Sequence, residues 1–155
     1  MYNHAPDGYI CPFCSLAKGV DDVSQDSIQA DIIYQNKDVT TFVSSYWWPN
    51  NPGHVIIIPN NHYENLYDIP DDILANIHIL SKKIALAMKA TYKCEGVSIR
   101  QHNEPAGNQD TWHYHLQVFP RYEGDELYLR HKEKRKVEQK ERLPFVEKLK
   151  EYLGK

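Results

Sequence analysis

The octapeptide His113-Tyr114-His115-Leu116-Gln117-Val118-Phe119-Pro120 decides how this chain is read. Its residue types alternate. His113, His115 and Gln117 fall on one face of an extended strand, and Tyr114, Leu116 and Val118 on the other. Such a strand buries its apolar side in a core and turns three nitrogen-bearing side chains toward one open site. Imidazoles at i and i+2 are either metal ligands or a nucleophile with a neighbour that tunes it. On these residues alone, a half-buried edge strand whose histidines merely face water explains the pattern equally well.

Upstream, Gly53-His54 opens an apolar strand from Val55 to Ile58, closed by Pro59 and the turn Asn60-Asn61-His62. Ile32 to Gln35 and Val39 to Ser45 read as an earlier strand pair around Asn36-Lys37-Asp38. Between them and His54, Tyr46 to Gly53 reads as a loop, because Pro49, Pro52 and Gly53 interrupt a ladder. Its aromatics either edge a base-binding pocket or cover the core. Pro70 and two aspartates start a helix to about Tyr92, with Ile73, Ile77, Leu80, Ile84 and Met88 as its apolar stripe and His78 on its surface. Gly96 to Gln101 is a further strand, and the polar loop His102 to Asp110 leads into the octapeptide. Val20 to Ala30 is acidic and irregular. Lys132 to Arg142 alternates in charge, as a solvated helix does. Its basic residues Lys134 to Lys136 could alternatively steer anions. Leu143-Pro144 then sets up a last amphipathic helix carrying Phe145, Leu149 and Leu153.

The 155 residues have room for one domain with a hydrophobic core. A net charge of -3 argues against generic nucleic-acid binding. No apolar run approaches membrane-spanning length, and the opening residues lack the basic and apolar parts of a signal peptide. Three cysteines, an odd number, do not suggest a disulfide framework and point to a reducing, cytoplasmic setting. Cys11-Pro12-Phe13-Cys14 has three readings: half a zinc site, a redox dithiol resembling that of glutaredoxins, or chance in a flexible N-terminus. Zinc leads, because the chain has histidines to complete the set.

A strand opened by Pro-Gly-His and closed by Pro-Asn-Asn-His, a long helix, a Gly-Asn-Gln-Asp loop and then Trp-His-Tyr-His-Leu-Gln-Val-Phe-Pro-Arg occur in that order. In this the chain resembles the histidine-triad (HIT) superfamily of nucleotidyl hydrolases and transferases, over roughly Tyr9 to Tyr122. The resemblance implies an α+β fold: a bent antiparallel sheet with one long helix packed across it, as a single domain with its core at about 9–122 and a C-terminal helical extension at about 123–155. It implies a homodimer acting on a nucleotide. His115 matches the nucleophile that becomes nucleotidylated, with His113 beside it in the motif, and His54 matches the supporting upstream histidine. Gln109 matches a phosphate-contacting glutamine. The family's loop asparagine maps to His102 by spacing and to Asn103 by chemistry. A zinc-carrying branch of the family implies a structural Zn²⁺ on Cys11, Cys14, His62 and His113.

This sequence departs from the family pattern at three positions. Gln117 replaces the third histidine, as in the uridylyltransferase and diadenosine tetraphosphate phosphorylase branches. Asp110 stands where Ser or Thr is usual, and a carboxylate beside phosphates is unfavourable unless protonated or turned away. Ser44 replaces the ribose-contacting Asp or Asn.

Overall fold

A computed structural model describes residues 2–21 and 25–154. Five antiparallel strands form the main sheet in the order β1-β2-β4-β6-β5: β1 Ile32–Gln35, β2 Val39–Val43, β4 Val55–Pro59, β5 Gly96–Gln101 and β6 Leu116–Arg121. The alternation seen in the sequence now has two destinations. Val55, Ile57, Leu116 and Val118 enter the main core, where Ile77, Leu80, Ile84 and Met88 of the long helix meet them. Phe42, Ile56 and Ile58 belong to a second cluster with Leu16 on the opposite face of the sheet. Ile56 is the register partner of Gln117, so the polar end of the motif shares that second face.

The long helix α2, Asp71–Tyr92, starts and ends where its signals place it: Asp71 and Asp72 occupy the first turn, and Lys93 closes it in the left-handed region. His78 is exposed on it. The Gly-His opening of β4 depends on its glycine. Gly53 has φ +79°, and a Cβ there would overlap the Phe145 ring of the last helix.

The N-terminal and C-terminal segments depart from expectation. Cys11 caps a six-residue helix, α1 (Pro12–Ala17), instead of lying in a flexible terminus. The acidic stretch expected over Val20 to Ala30 ends in a 3₁₀ turn at Gln29–Asp31, and residues 22–24 lie outside the described residues. Tyr46–Trp47 is not loop but a short strand, β3, which pairs with β7, Arg135–Lys136. The expected solvated helix over Lys132 to Arg142 is therefore replaced by a 3₁₀ turn at His131–Glu133, then β7, then the start of α3, Gln139–Leu153. That helix starts four residues before Leu143. Glu138 and Glu141 form a capping box at its start, and Pro144 sits inside it. Arg142 is buried, its Nε 2.9 Å from Asp31 Oδ1, which ties α3 to the residue preceding β1. Alternating charge could not reveal this, because a buried ion pair and a solvated one use the same letters.

Candidate active site

His113 to His115 precede β6 rather than belonging to its ladder. The Tyr114 N–H donates to the Tyr63 carbonyl, and both histidines are buried instead of opening to water. Their rings nevertheless do different things. His113 Nε2 lies 2.9 Å from the Pro59 carbonyl. A carbonyl only accepts, so Nε2 carries the proton and Nδ1 keeps its lone pair. That lone pair faces the two cysteines: Nδ1 is 3.3 Å from Cys11 Sγ and 3.6 Å from Cys14 Sγ. His62 Nδ1 is 3.3 Å from Cys14 Sγ.

The ligand atoms of Cys11, Cys14, His62 and His113 all lie within 4.8 Å of one another. This is a Cys₂His₂ zinc site by composition, with the Pro59 carbonyl orienting one imidazole from behind, as outer-shell acceptors of zinc-bound histidines do. The donor set fits the ion. The Cys14 side chain lowers the Cys11 thiol to about 3, burial opposing it and His113 assisting, while the same contact raises Cys14. Two cysteine sulfurs and two imidazole nitrogens are the donors zinc takes, and metal binding would hold both sulfurs as thiolates.

His115 is held the other way round. Its Nδ1 is 2.8 Å from the His113 carbonyl, so the proton sits on Nδ1 and Nε2 keeps the lone pair. Burial lowers its pKa, with the carbonyl bond and Asp110 opposing. The ring lines a cavity of about 430 Å³ together with His54, Gln117, Ser44, Asp110 and Lys134. Tyr46 and Trp48 edge this cavity, whereas Trp47 packs in the core, so the aromatic loop serves both purposes.

Gln117 has an assigned orientation. Arg100 Nη2 approaches its Oε1 at 3.2 Å, and a guanidinium can only donate, which leaves the amide N–H₂ for the cavity. Asp110 is 61 % exposed, with Oδ1 3.9 Å from His115 Nε2 and Oδ2 3.1 Å from Lys134 Nζ. Partial burial raises its pKa, but His115 and Lys134 outweigh this and the net shift is downward. Asp110 is therefore an ionised, neutralised carboxylate rather than a protonated one.

Two residues matched to the family's contacts are spent elsewhere. The Gln109 amide donates to the Glu64 and Thr111 carbonyls and accepts from the Glu104 N–H, which makes it a loop staple that does not line the cavity. Asn103 bonds the Leu66 N–H and Gln101, while His102 lines a neighbouring cavity. Arg100 was not expected at the site, and Lys134 was expected only as part of a basic stretch that could steer anions. No local motif marks either one, since the β3–β7 pairing and the β5–β6 register bring them in.

His54 is buried, stacked on Phe119 with ring centroids 4.4 Å apart. Burial, with Arg100, Lys134 and His115 adding, lowers its pKa from 6.5 to about 3. The unfolded chain therefore takes up a proton that the folded chain refuses between these two values, and stability falls as pH drops through that window. We expect the wild-type slope of unfolding free energy between pH 6 and 4, from urea melts, to exceed that of His54→Asn by up to about one proton. Equal slopes would contradict a buried neutral His54.

The model of the HIT domain family matches residues 25–124. The chain belongs to the HIT family. A HIT-like protein of Methanocaldococcus jannaschii is 32% identical over 117 residues, covering 75% of this chain and 82% of that one. A zinc-bound histidine triad family protein from Mycobacterium smegmatis superposes with a TM-score of 0.75 at 26% identity, covering 93% of each chain. A histidine triad nucleotide-binding protein from Candida albicans gives 0.60 at 27% identity, over 73% of this chain and 76% of its own. The HIT fold expected from the motif order is thus the fold found. The segment carrying His131 and Lys134 lies beyond the matched domain.

Proposed function

We propose that this HIT protein is a nucleotidyl hydrolase acting on dinucleoside polyphosphates or nucleoside phosphoramidates through a nucleotidyl-His115 intermediate. The observation carrying this reading is the His115 tautomer: a buried imidazole with its proton tied to a carbonyl and its free nitrogen lining the cavity. The Nε2 lone pair attacks the α-phosphorus, the P–N bond forms, and the bond from phosphorus to the leaving group breaks; a phosphate chain departs as its anion, and an amine departs with a proton taken from solvent. Because Nδ1 is already protonated, the adduct is a cationic phosphoramidate. Water then attacks phosphorus and releases a proton to solvent, and Nε2 departs as neutral imidazole without a further proton transfer to the ring. The Gln117 amide donates to a phosphoryl oxygen as charge builds there. Ser44, which lines the same cavity, is assigned the ribose contact, and neutral His54 supports the wall. A zinc ion on Cys11, Cys14, His62 and His113 clips α1 against the residues just before β6 and takes no part in the chemistry.

Assays with dinucleoside polyphosphates and nucleoside phosphoramidates, with and without inorganic phosphate, test this. Release of nucleoside monophosphate in both conditions supports hydrolysis. Nucleoside diphosphate formed only with phosphate would make the protein a phosphorylase, and binding without turnover would make it a nucleotide-binding module.

Loss of one oxyanion donor typically costs about 2.7–4 kcal/mol. Gln117→Ala should therefore lose on the order of a hundredfold or more in kcat. Gln117→His should be tolerated and should add a limb to the pH–rate profile, because an imidazole titrates where an amide does not. A near-wild-type rate for Gln117→Ala would remove this residue from the phosphate site.

The homodimer reading rests on exposed Ile79 and Leu86 of α2 and Ile99 of the sheet's edge strand β5. Light scattering should give twice the 18.1 kDa chain mass, and Leu86→Asp with Ile99→Lys should return it to one. A monomeric wild type would overturn this. No helix among the described residues is long and apolar enough to cross a membrane. Free Cys11, Cys14 and Cys94 fit a reducing, cytoplasmic compartment.

A further inference from the structure

A second cavity, of about 490 Å³, adjoins the first and shares Trp48, Asp110, Gln117 and Lys134 with it. Arg100, His102 and His131 are among its other lining residues. Two fixed positive charges therefore face a single carboxylate, Asp110, with two imidazoles alongside. Arg100 has no carboxylate partner among the described residues. Its guanidinium lies 4.3 Å from the Phe119 centroid and 5.1 Å from that of Trp48, so two rings pack against it. Its side-chain hydrogen bond goes to Gln117. Arg100 Nε and Trp48 Nε1 are buried donors without an acceptor, so the rest of the guanidinium is left to meet a ligand in the cavity.

The polypeptide makes this cavity with a segment outside the matched HIT domain. Leu127 packs on Trp48 and Phe119, and the Val137 N–H donates to the Ser45 carbonyl at 2.8 Å. Between these anchors, Lys134 is carried over the Tyr46 and Trp48 rings at 5.6 and 5.8 Å. A basic stretch that reads as a solvated helix is in fact one wall of the site.

We propose that this second cavity is a subsite for the phosphates of the leaving group, with Arg100 and Lys134 as its fixed charges and His102 and His131 at its rim. This rests on the hydrolase reading and narrows it, favouring substrates whose leaving half is a phosphate chain over those that release an amine. Planar guanidinium donors suit phosphate oxygens, and Gln117, shared by both cavities, lies where the scissile bond would cross. Lys134 exchanges its bond to Asp110 for one to phosphate.

The test is calorimetric binding of inorganic pyrophosphate to the full chain saturated with a nucleoside monophosphate. The wild type should bind both together. Arg100→Met and Lys134→Met should each weaken pyrophosphate binding at least tenfold. Lys134 is on the surface, so its variant keeps the test informative if Arg100→Met folds poorly. Competition between pyrophosphate and the monophosphate, absence of pyrophosphate binding, or unchanged affinity in Lys134→Met would each overturn the subsite. The assay needs no turnover. A chain that forms no adduct at His115 yet binds pyrophosphate this way would lose the hydrolase reading and keep the subsite, and the converse result would do the opposite.

Discussion

His115→Gly should retain less than about a thousandth of wild-type turnover, since removing a covalent nucleophile leaves only binding and oxyanion stabilisation behind. Nucleotide affinity should change little. The fold should survive, although at some cost, because His115 is buried against Phe13 with ring centroids 5.5 Å apart rather than standing in an open face. Glycine leaves a polar hole the size of an imidazole. Free imidazole added to the variant should therefore restore part of the rate, because the His113 carbonyl that fixes the proton is main chain and remains in place. Activity above a few per cent without added imidazole would remove His115 from the nucleophile's role.

Cys11→Ser should abolish stoichiometric zinc and lower the melting temperature by more than about 15 °C. A structural zinc contributes roughly 10–16 kcal/mol of binding free energy at neutral pH in small domains. Each kcal/mol moves Tm by about 2–4 °C in a domain of this size. Only part of that energy is lost here, because the five-stranded sheet and α2 have their own core. Turnover at a temperature where the variant stays folded should fall far less than Tm does. His115 hangs from the carbonyl of His113, so ring placement loosens without the nucleophile being lost. Metal analysis giving no zinc in the wild type, with Cys11 and Cys14 cycling as a disulfide, would refute the zinc site and restore the redox reading.

What the sequence made legible follows from how local each signal is. The apolar run Val55 to Ile58, the alternation around Leu116 and Val118, and the stripe on α2 are each properties of a single element, and all three elements appear, although the strand of the octapeptide starts at Leu116 rather than at His113. The four metal-site residues were identifiable because a resemblance tied them together. Their convergence within 4.8 Å depends on a turn before β6 that alternation alone reads as strand. β3 and β7 are two residues each and carry no periodicity, so the pairing that returns the C-terminal segment to the site left no trace in either stretch. The start of α3 did leave one. Glu138 and Glu141 stand at capping-box spacing, but glutamate in place of Ser or Thr at the cap makes that signature easy to miss. Gln109 shows what a motif match leaves out: beside the phosphate contact that the resemblance implies, its side chain makes three hydrogen bonds that hold the loop together.

The central claim is that the chemistry passes through His115 Nε2. Rapid mixing with an α-labelled adenosine 5′-phosphorimidazolide, acid-free denaturation and digestion should place the label on the tryptic peptide Gln101–Arg121, at close to one per chain and labile to acid. Fragmentation should assign it to His115 and not to His102 or His113. An unlabelled chain that still turns the nucleotide over, or label on any other residue, would contradict the account.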